Sequence, residues 1–289
     1  MVLRLPLSRM MTPQFGETPG PIRMTESPIL VEKRAGYRVI TFNRPDKLNA
    51  FNEAMHVALR AAIDEAESDE SCRALMITGA GRGFCAGQDL NDRLAKPGET
   101  VVLGGTLEQH YNPLVRKLRS LPFPVVAAVN GVAAGAGCNI ALACDIVVAS
   151  LKANFIQSFA RIGLIPDSGG TWFLPRLVGD ARARGLALLA QDLPAEKAAS
   201  WGLIWRAVED HVLMYEATRI CEHFALAPTQ SLALIKRALD ASAGNALDTQ
   251  LDLERDLQRA ASLTPDYAEG VRAFVEKRKP NFTGRKGQD

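Results

Sequence analysis

The first regular pattern of apolar and polar positions has a two-residue period. Tyr37–Phe42 (YRVITF) reads as a strand, closed by a turn at Asn43-Arg44-Pro45-Asp46-Lys47. Over 52–66 the period lengthens to that of a helix, with Met55, Leu59, Ala62, Ile63 and Ala66 on one face. A short buried strand follows at 74–78 (ALMIT) and runs into the glycine-rich stretch 79–87. After a polar loop, a helix through 114–118 ends at the prolines Pro122 and Pro124. Val125–Val129 reads as a strand, Ala136–Ala143 as a helix and 146–149 as another strand. Strands alternating with helices predict βαβ units.

After Gly179 the pattern is helical almost throughout: 181–190, 195–201, 212–225, 229–241, 246–261 and 266–277. The expected organisation is an α/β core over 28–205 and a helical C-terminal region over 206–289. Residues 1–27 stand apart, crowded with Met, Pro and Gly and without a periodic apolar face. They read as a disordered tail or as the product of a start assigned too far upstream. The chain shows no internal repeat.

Composition narrows the function classes. Of 289 residues, 34 are Lys or Arg and 32 are Asp or Glu, a net charge of +2 that argues against a dedicated nucleic-acid binder. The five cysteines include no C-x-x-C pair and read as reduced thiols of a cytoplasmic compartment. The four histidines are not spaced as a metal pair, so no metal is expected. The most apolar stretch, 125–146, is broken by Asn130, Asn139, Asp145 and three glycines, so no membrane span is expected.

Three glycine-rich patches carry the candidate chemistry. They are 79–89 (GAGRGFCAGQD), 130–139 (NGVAAGAGCN) and 163–171 (GLIPDSGGT). Glycine backbone approaches a ligand closely and aims N–H groups at an oxygen, so two such turns facing each other would form a two-donor oxyanion hole. The same glycines would also serve tight turns alone. Gly81–Ala86 fits the dinucleotide pattern G-x-G-x-x-A, but lies too far along the chain and does not open a helix. Serine-hydrolase and P-loop motifs do not occur. Asp167 is the carboxylate singled out. Ile165, Pro166, Phe159 and Trp172 nearby would raise its pKa toward that of a proton-transfer base. The alternative is a cap on the helix beginning near Gly170. Asp145 reads as a structural acceptor and Asp89 as a cap for the turn after Gly87.

Taken together, these segments resemble the crotonase (enoyl-CoA hydratase/isomerase) superfamily. The resemblance rests on Asn43-Arg44-Pro45 with Leu48-Asn49-Ala50, on 84–90 (FCAGQDL) and on 124–131 (PVVAAVNG). Cys144-Asp145, Ile165-Pro166 with Gly169-Gly170-Thr171, and 269–278 (EGVRAFVEKR) extend it over about 29–284. It implies a spiral of βαβ turns with a helical trimerisation region, a homotrimer or hexamer, and an acyl-CoA thioester as ligand. Coenzyme A would belong to the substrate, with no separate cofactor. The family's oxyanion amides fall on Gln88 and Ala136. Contacts to coenzyme A or the acyl group fall on Lys47, Ala86, Gly87, Asp89, Leu90, Gly135, Asn139, Phe159, Phe274 and Lys277.

Departures from the family pattern point to the reaction. The positions of the two hydratase glutamates are occupied by Asn139 and Phe159, while the isomerase base position holds Asp167. The resemblance therefore implies an isomerase that moves a double bond by proton transfer through a thioester enolate. Segments 157–159, 164–172 and 250–259 look closest to the subfamily of 1,2-epoxyphenylacetyl-CoA isomerases of phenylacetate degradation. Phe159, Trp172 and Phe84 would suit an aromatic-sized acyl pocket shaped by the loop 94–111. Alternatives are a Δ3,Δ2-enoyl-CoA isomerase, a catalytically idle CoA-binding scaffold and an RNA-binding homologue. The last would call for a lysine-rich helix, and the C-terminal helices mix signs.

Overall fold

The computed structural model describes residues 27–93 and 104–284. The tail expected over 1–27 falls outside them except for Ser27, and so does 94–103 of the loop expected to shape the acyl pocket. The strands are β1 (Ile29–Arg34), β2 (Tyr37–Phe42), β3 (Leu75–Gly79), β4 (Gly83–Cys85), β5 (Val125–Val129), β6 (Val132–Ala134), β7 (Ile146–Ser150), β8 (Asn154–Ile156), β9 (Asp192–Pro194) and β10 (Arg206–Val208). The helices are α1 (Glu53–Ser68), α2 (Gly104–Thr106), α3 (Asn112–Ser120), α4 (Ala136–Ala143), α5 (Gly170–Val178), α6 (Asp180–Leu189), α7 (Ala195–Ser200), α8 (Leu213–Leu226), α9 (Thr229–Ser242), α10 (Leu247–Ser262) and α11 (Pro265–Val275).

Two sheets organise the core, in the orders β1-β2-β3-β5-β7-β10 and β4-β6-β8-β9. From β3 to β8 the chain visits them alternately, adding one parallel strand to each sheet per turn. That alternation is the spiral expected of the crotonase fold. Among the described residues only the end pairs, β1 with β2 and β8 with β9, are antiparallel.

The two-residue period sorts the six-stranded sheet into two apolar layers. Ile40, Phe42, Leu75, Ile77, Val125, Ala127, Val147 and Ala149 face α1 and the main core. Tyr37, Val39, Met76, Val126, Ala128 and Val148 face α8 through Leu213, Ala217, Ile220 and Cys221. Covered on both faces, β5 is apolar at every position. Helix α1 buries the five residues its spacing marked, and the Asn52 side chain caps it by accepting from the Met55 amide at 3.0 Å.

One boundary moves. The core does not end at 205, because β10 pairs with β7 and α8 covers the sheet. Three-residue strands such as β9 and β10 show no period of their own, so the sequence marks only the gaps between helices there. Helices α9 to α11 bury few residues and leave Ile235, Leu239, Leu251, Tyr267, Val271 and Phe274 exposed. Helix α9 is tied to the core by Lys236, whose Nζ lies 2.7 Å from Asp145 Oδ2 and donates to the Phe123 carbonyl at 2.9 Å. All five cysteines are buried and free.

Candidate active site

The first oxyanion amide is set by strand geometry. After β4, the segment 87–89 pairs with Phe51. The Phe51 amide donates to Gly87 O at 2.7 Å, and the Asp89 amide donates to Phe51 O at 2.8 Å. Successive amides of extended backbone point to opposite sides, so the Gln88 N–H is aimed away from Phe51. The second amide belongs to Ala136, the first residue of α4, where helix geometry offers no internal acceptor. Neither amide donates to another group among the described residues. The positive end of α4 adds to the field there. All eight α4 residues are buried, as expected of a helix apolar on every side.

Gly87 and Gly135 permit this approach. Gly87 has φ +92°, and a Cβ there would stand 2.9 Å from Ala134 O and 3.4 Å from Ala136 N. Gly135, at φ +53°, turns β6 into α4. Gly87→Ala is expected to push the two amides apart and lower kcat by about 10²-fold, the scale of one lost oxyanion donor. Steady-state kinetics beside a melting curve separates this effect from unfolding.

Asp167 lies in the loop that leads into α5. The cap reading fails, because α5 begins at Gly170 with Gly169 as its N-cap and no side-chain cap. The Asp167 carbonyl instead accepts from Gly170 N and from Asn139 Nδ2, both at 2.8 Å. Its carboxylate is half-buried and accepts from Ser168 Oγ at 2.8 Å. Burial pushes its pKa above the ordinary carboxylate value, while the Ser168 hydroxyl and the charge of Arg93 restrain the rise. Raised basicity at a half-buried carboxylate suits proton transfer.

Several expected contacts are corrected. Asn139 is fully buried, and its amide is spent on Asp167 O and on Gln157 Nε2, 2.7 Å from its Oδ1. It braces the base loop rather than touching substrate. Asp89 is buried, and it pairs with Arg44 at 2.9 Å and accepts from Asn91. Burial would raise its pKa, but the Arg44 and Asn91 hydrogen bonds outweigh it and hold it low. It is a structural anchor, as its capping reading had it. Phe84 is sealed in the core, 5.4 Å from the Phe42 ring, and offers no exposed surface to an acyl group. Phe159 does reach the oxyanion turn, since a Cβ on Gly135 would stand 3.7 Å from its Cζ. Ala86 is half-buried and Leu90 exposed beside Gln88. Lys47, Phe274 and Lys277 are exposed, and among the described residues no hydrogen bond or ion pair links them to Asp167.

Tyr111 escaped the sequence reading. It ends a π-helical turn, Leu107–Tyr111, whose wider winding breaks the 3.6-residue period. Its hydroxyl donates to Gln88 Oε1 at 2.9 Å, while Gln88 Nε2 donates to Phe51 O at 3.0 Å. The Gln88 side chain is therefore locked while its backbone amide stays free. Burial raises the Tyr111 pKa, and the nearby charge of Asp167 adds to this. Behind it, His56 stacks on Phe51 and on His110, each with ring centroids 4.7 Å apart. Burial, with His110 beside it, pushes the His56 imidazole down to about 3. A cavity of about 820 Å³ opens at Gly169, two residues from Asp167, between Trp172 and Phe173 of α5 and helices α3 and α9.

Comparison with known proteins identifies the family. The enoyl-CoA hydratase/isomerase family matches residues 32–285. A 1,2-epoxyphenylacetyl-CoA isomerase of Escherichia coli is 54% identical over 258 residues, 89% of this chain and 98% of that protein. A trans-2-decenoyl-[acyl-carrier-protein] isomerase of Streptococcus mutans is 36% identical, again over 89% of this chain and 98% of that protein. An enoyl-CoA hydratase structure from Bacillus anthracis superposes with a TM-score of 0.82 at 30% identity, covering 89% of this chain and 100% of that one. The chain belongs to the enoyl-CoA hydratase/isomerase family.

Proposed function

We propose that the protein is an acyl-CoA isomerase that moves a double bond through a thioester enolate, and that its substrate is the ring epoxide 2-(1,2-epoxy-1,2-dihydrophenyl)acetyl-CoA. The observation that carries this reading is the pairing of two unspent amides, Gln88 and Ala136, with the half-buried carboxylate of Asp167. The thioester oxygen accepts from both amides. Asp167 removes a proton alpha to the thioester, and the charge that develops on the oxygen is stabilised by preorganised donors. The same carboxyl returns the proton further along the conjugated system. Atoms balance within the substrate, so neither water nor a redox cofactor takes part. In the ring-epoxide substrate the carbon–carbon bond shared by the epoxide and the six-membered ring also breaks, its electron pair redistributing into the ring double bonds, so that the product is the seven-membered oxepin thioester with no atom gained or lost.

The epoxide assignment is supported by the 54% identity to the Escherichia coli 1,2-epoxyphenylacetyl-CoA isomerase and by the Phe159 ring beside the oxyanion turn. Coenzyme A enters as part of the substrate. The exposed Lys47, Phe274 and Lys277 suit its phosphates and adenine, with Phe274 and Lys277 reaching a neighbouring subunit. The exposed apolar row on α9 to α11 supports a homotrimer or hexamer. Among the described residues no helix is long and apolar enough to cross a membrane, and a cytoplasmic location fits the buried free thiols.

Two assays test the reading. The ring-epoxide and 3-enoyl thioesters are expected to isomerise, with exchange of the alpha proton in deuterated solvent. Crotonyl-CoA is expected to be hydrated slowly or not at all. Water addition needs one group to activate water and another to deliver the proton. Asn139 is neutral and engaged, and the Phe159 ring has no acid or base. Hydration as fast as isomerisation in one preparation would reject the one-base assignment. Turnover of 3-enoyl-CoA alone would replace the epoxide substrate with an ordinary enoyl thioester.

A further inference from the structure

We propose that Ser168 is a positioning residue for the base: its hydroxyl fixes one oxygen of the Asp167 carboxylate and favours the ionised, proton-accepting form. The inference rests on the reading of Asp167 as that base. Ser168 has φ +50° and is buried. The next residue, Gly169, has φ +82°, so the loop takes two left-handed residues in succession. A second glycine would meet this demand with less strain. Ser168 supplies what glycine lacks, an Oγ that donates to Asp167 Oδ1 at 2.8 Å.

The remaining contacts of the loop leave this task open. Asn139 Nδ2 and Gly170 N hold the Asp167 backbone carbonyl but do not reach the carboxylate. Among the described residues Ser168 is its hydrogen-bond donor at Oδ1, and Oδ2 is left to exchange protons. The charged and titratable groups facing it are Arg93, from the turn Leu90–Arg93, and the Tyr111 phenol from the π-helical turn. Arg93 favours the carboxylate. Tyr111 stays neutral through the working range, because burial raises its pKa. Neither of these electrostatic influences runs through the Ser168 side chain.

The sign of the effect follows. A hydrogen bond to the carboxylate stabilises the charged form, so its loss makes Asp167 harder to ionise. Turnover requires the ionised base, so the acid limb of the kcat profile moves to higher pH. One charge-assisted hydrogen bond corresponds to about one pH unit. On the plateau, a carboxylate free to rotate lowers kcat by about 10-fold. KM is little changed, because Ser168 is buried and its hydroxyl is engaged by Asp167.

The test compares Ser168→Ala and Ser168→Gly with the unmodified full chain, following isomerisation of a 3-enoyl-CoA across pH. Glycine relieves the left-handed strain and folds at least as well, so it guards against a variant that merely unfolds. Both variants are expected to shift the acid limb upward by about one unit and to lower the plateau. A Ser168→Gly enzyme with an unshifted limb and full kcat would overturn the proposal and leave the serine a backbone role only. Asp167→Asn in the same assay separates the two failures. If it is inactive, only the role of Ser168 falls; if it turns over normally, the base assignment falls with it.

Discussion

Asp167→Asn is expected to lower isomerase turnover by about 10²–10⁴-fold, the usual contribution of a positioned base, with little change in acyl-CoA affinity. The amide keeps the shape of the side chain and still accepts from Ser168 Oγ, but it does not take up a proton. The loop is anchored through the Asp167 backbone carbonyl, so the substitution leaves its bonds to Asn139 and Gly170 in place. Stability should move the other way. A carboxyl whose pKa is raised by folding prefers the protonated form in the native state. Its contribution to stability is present below the unfolded value and is lost as pH rises through the folded one. At neutral pH the ionised carboxylate therefore costs the fold something that Asn does not. The variant should melt at or above the temperature of the unmodified protein while being nearly inactive. Full turnover would remove Asp167 from the chemistry. Inactivity with a large drop in melting temperature would mean that the loop had collapsed.

The sequence is most legible where one physical requirement dominates. The βα units of the core show because parallel strands covered on both faces must be apolar throughout, as in Val125–Val129, and because α4 is apolar on every side. The oxyanion turns show through glycines that side chains would obstruct. Asp167 was narrowed to a base or a cap, and only its contacts with Ser168, Asn139 and Gly170 decide between them. The family resemblance puts Asn139, at a hydratase-glutamate position, and Asp89, next to the Gln88 amide, beside the substrate. Position along the chain does not show that each is consumed by a partner distant in sequence, Gln157 or Arg44. The Tyr111 lock was invisible for the same reason: it joins residues 23 apart, and its π-helical turn has no apolar period to follow.

Distance in sequence also conceals the interaction that ties the helical region to the core. Asp145→Asn is expected to destabilise the protein by about 3–5 kcal/mol, the cost of breaking a buried ion pair from one side. Asp145 Oδ2 accepts from the Val125 amide at 2.7 Å and lies 2.7 Å from Lys236 Nζ. The Asn oxygen would preserve the first contact. Lys236, however, would keep its charge in a buried site with only neutral acceptors, the Asn oxygen and the Phe123 and Leu118 carbonyls, the last two at 2.9 and 3.4 Å. Burial already lowers the Lys236 pKa, against the pull of Asp145. Without the carboxylate it falls further. A lysine with a depressed folded pKa binds fewer protons folded than unfolded, so the stability of the variant should rise with pH above its folded pKa. Removing both charges with Asp145→Asn and Lys236→Met should recover most of the loss, because the uncompensated charge carries the cost rather than the missing attraction. Denaturant midpoints at one fixed protein concentration read all three variants, since assembly adds its own stability. A single-variant loss below about 1 kcal/mol would mean that the pair behaves as a surface bridge. A double variant as unstable as the single one would place the cost in packing at α9, the helix that closes the cavity beside the Asp167 loop.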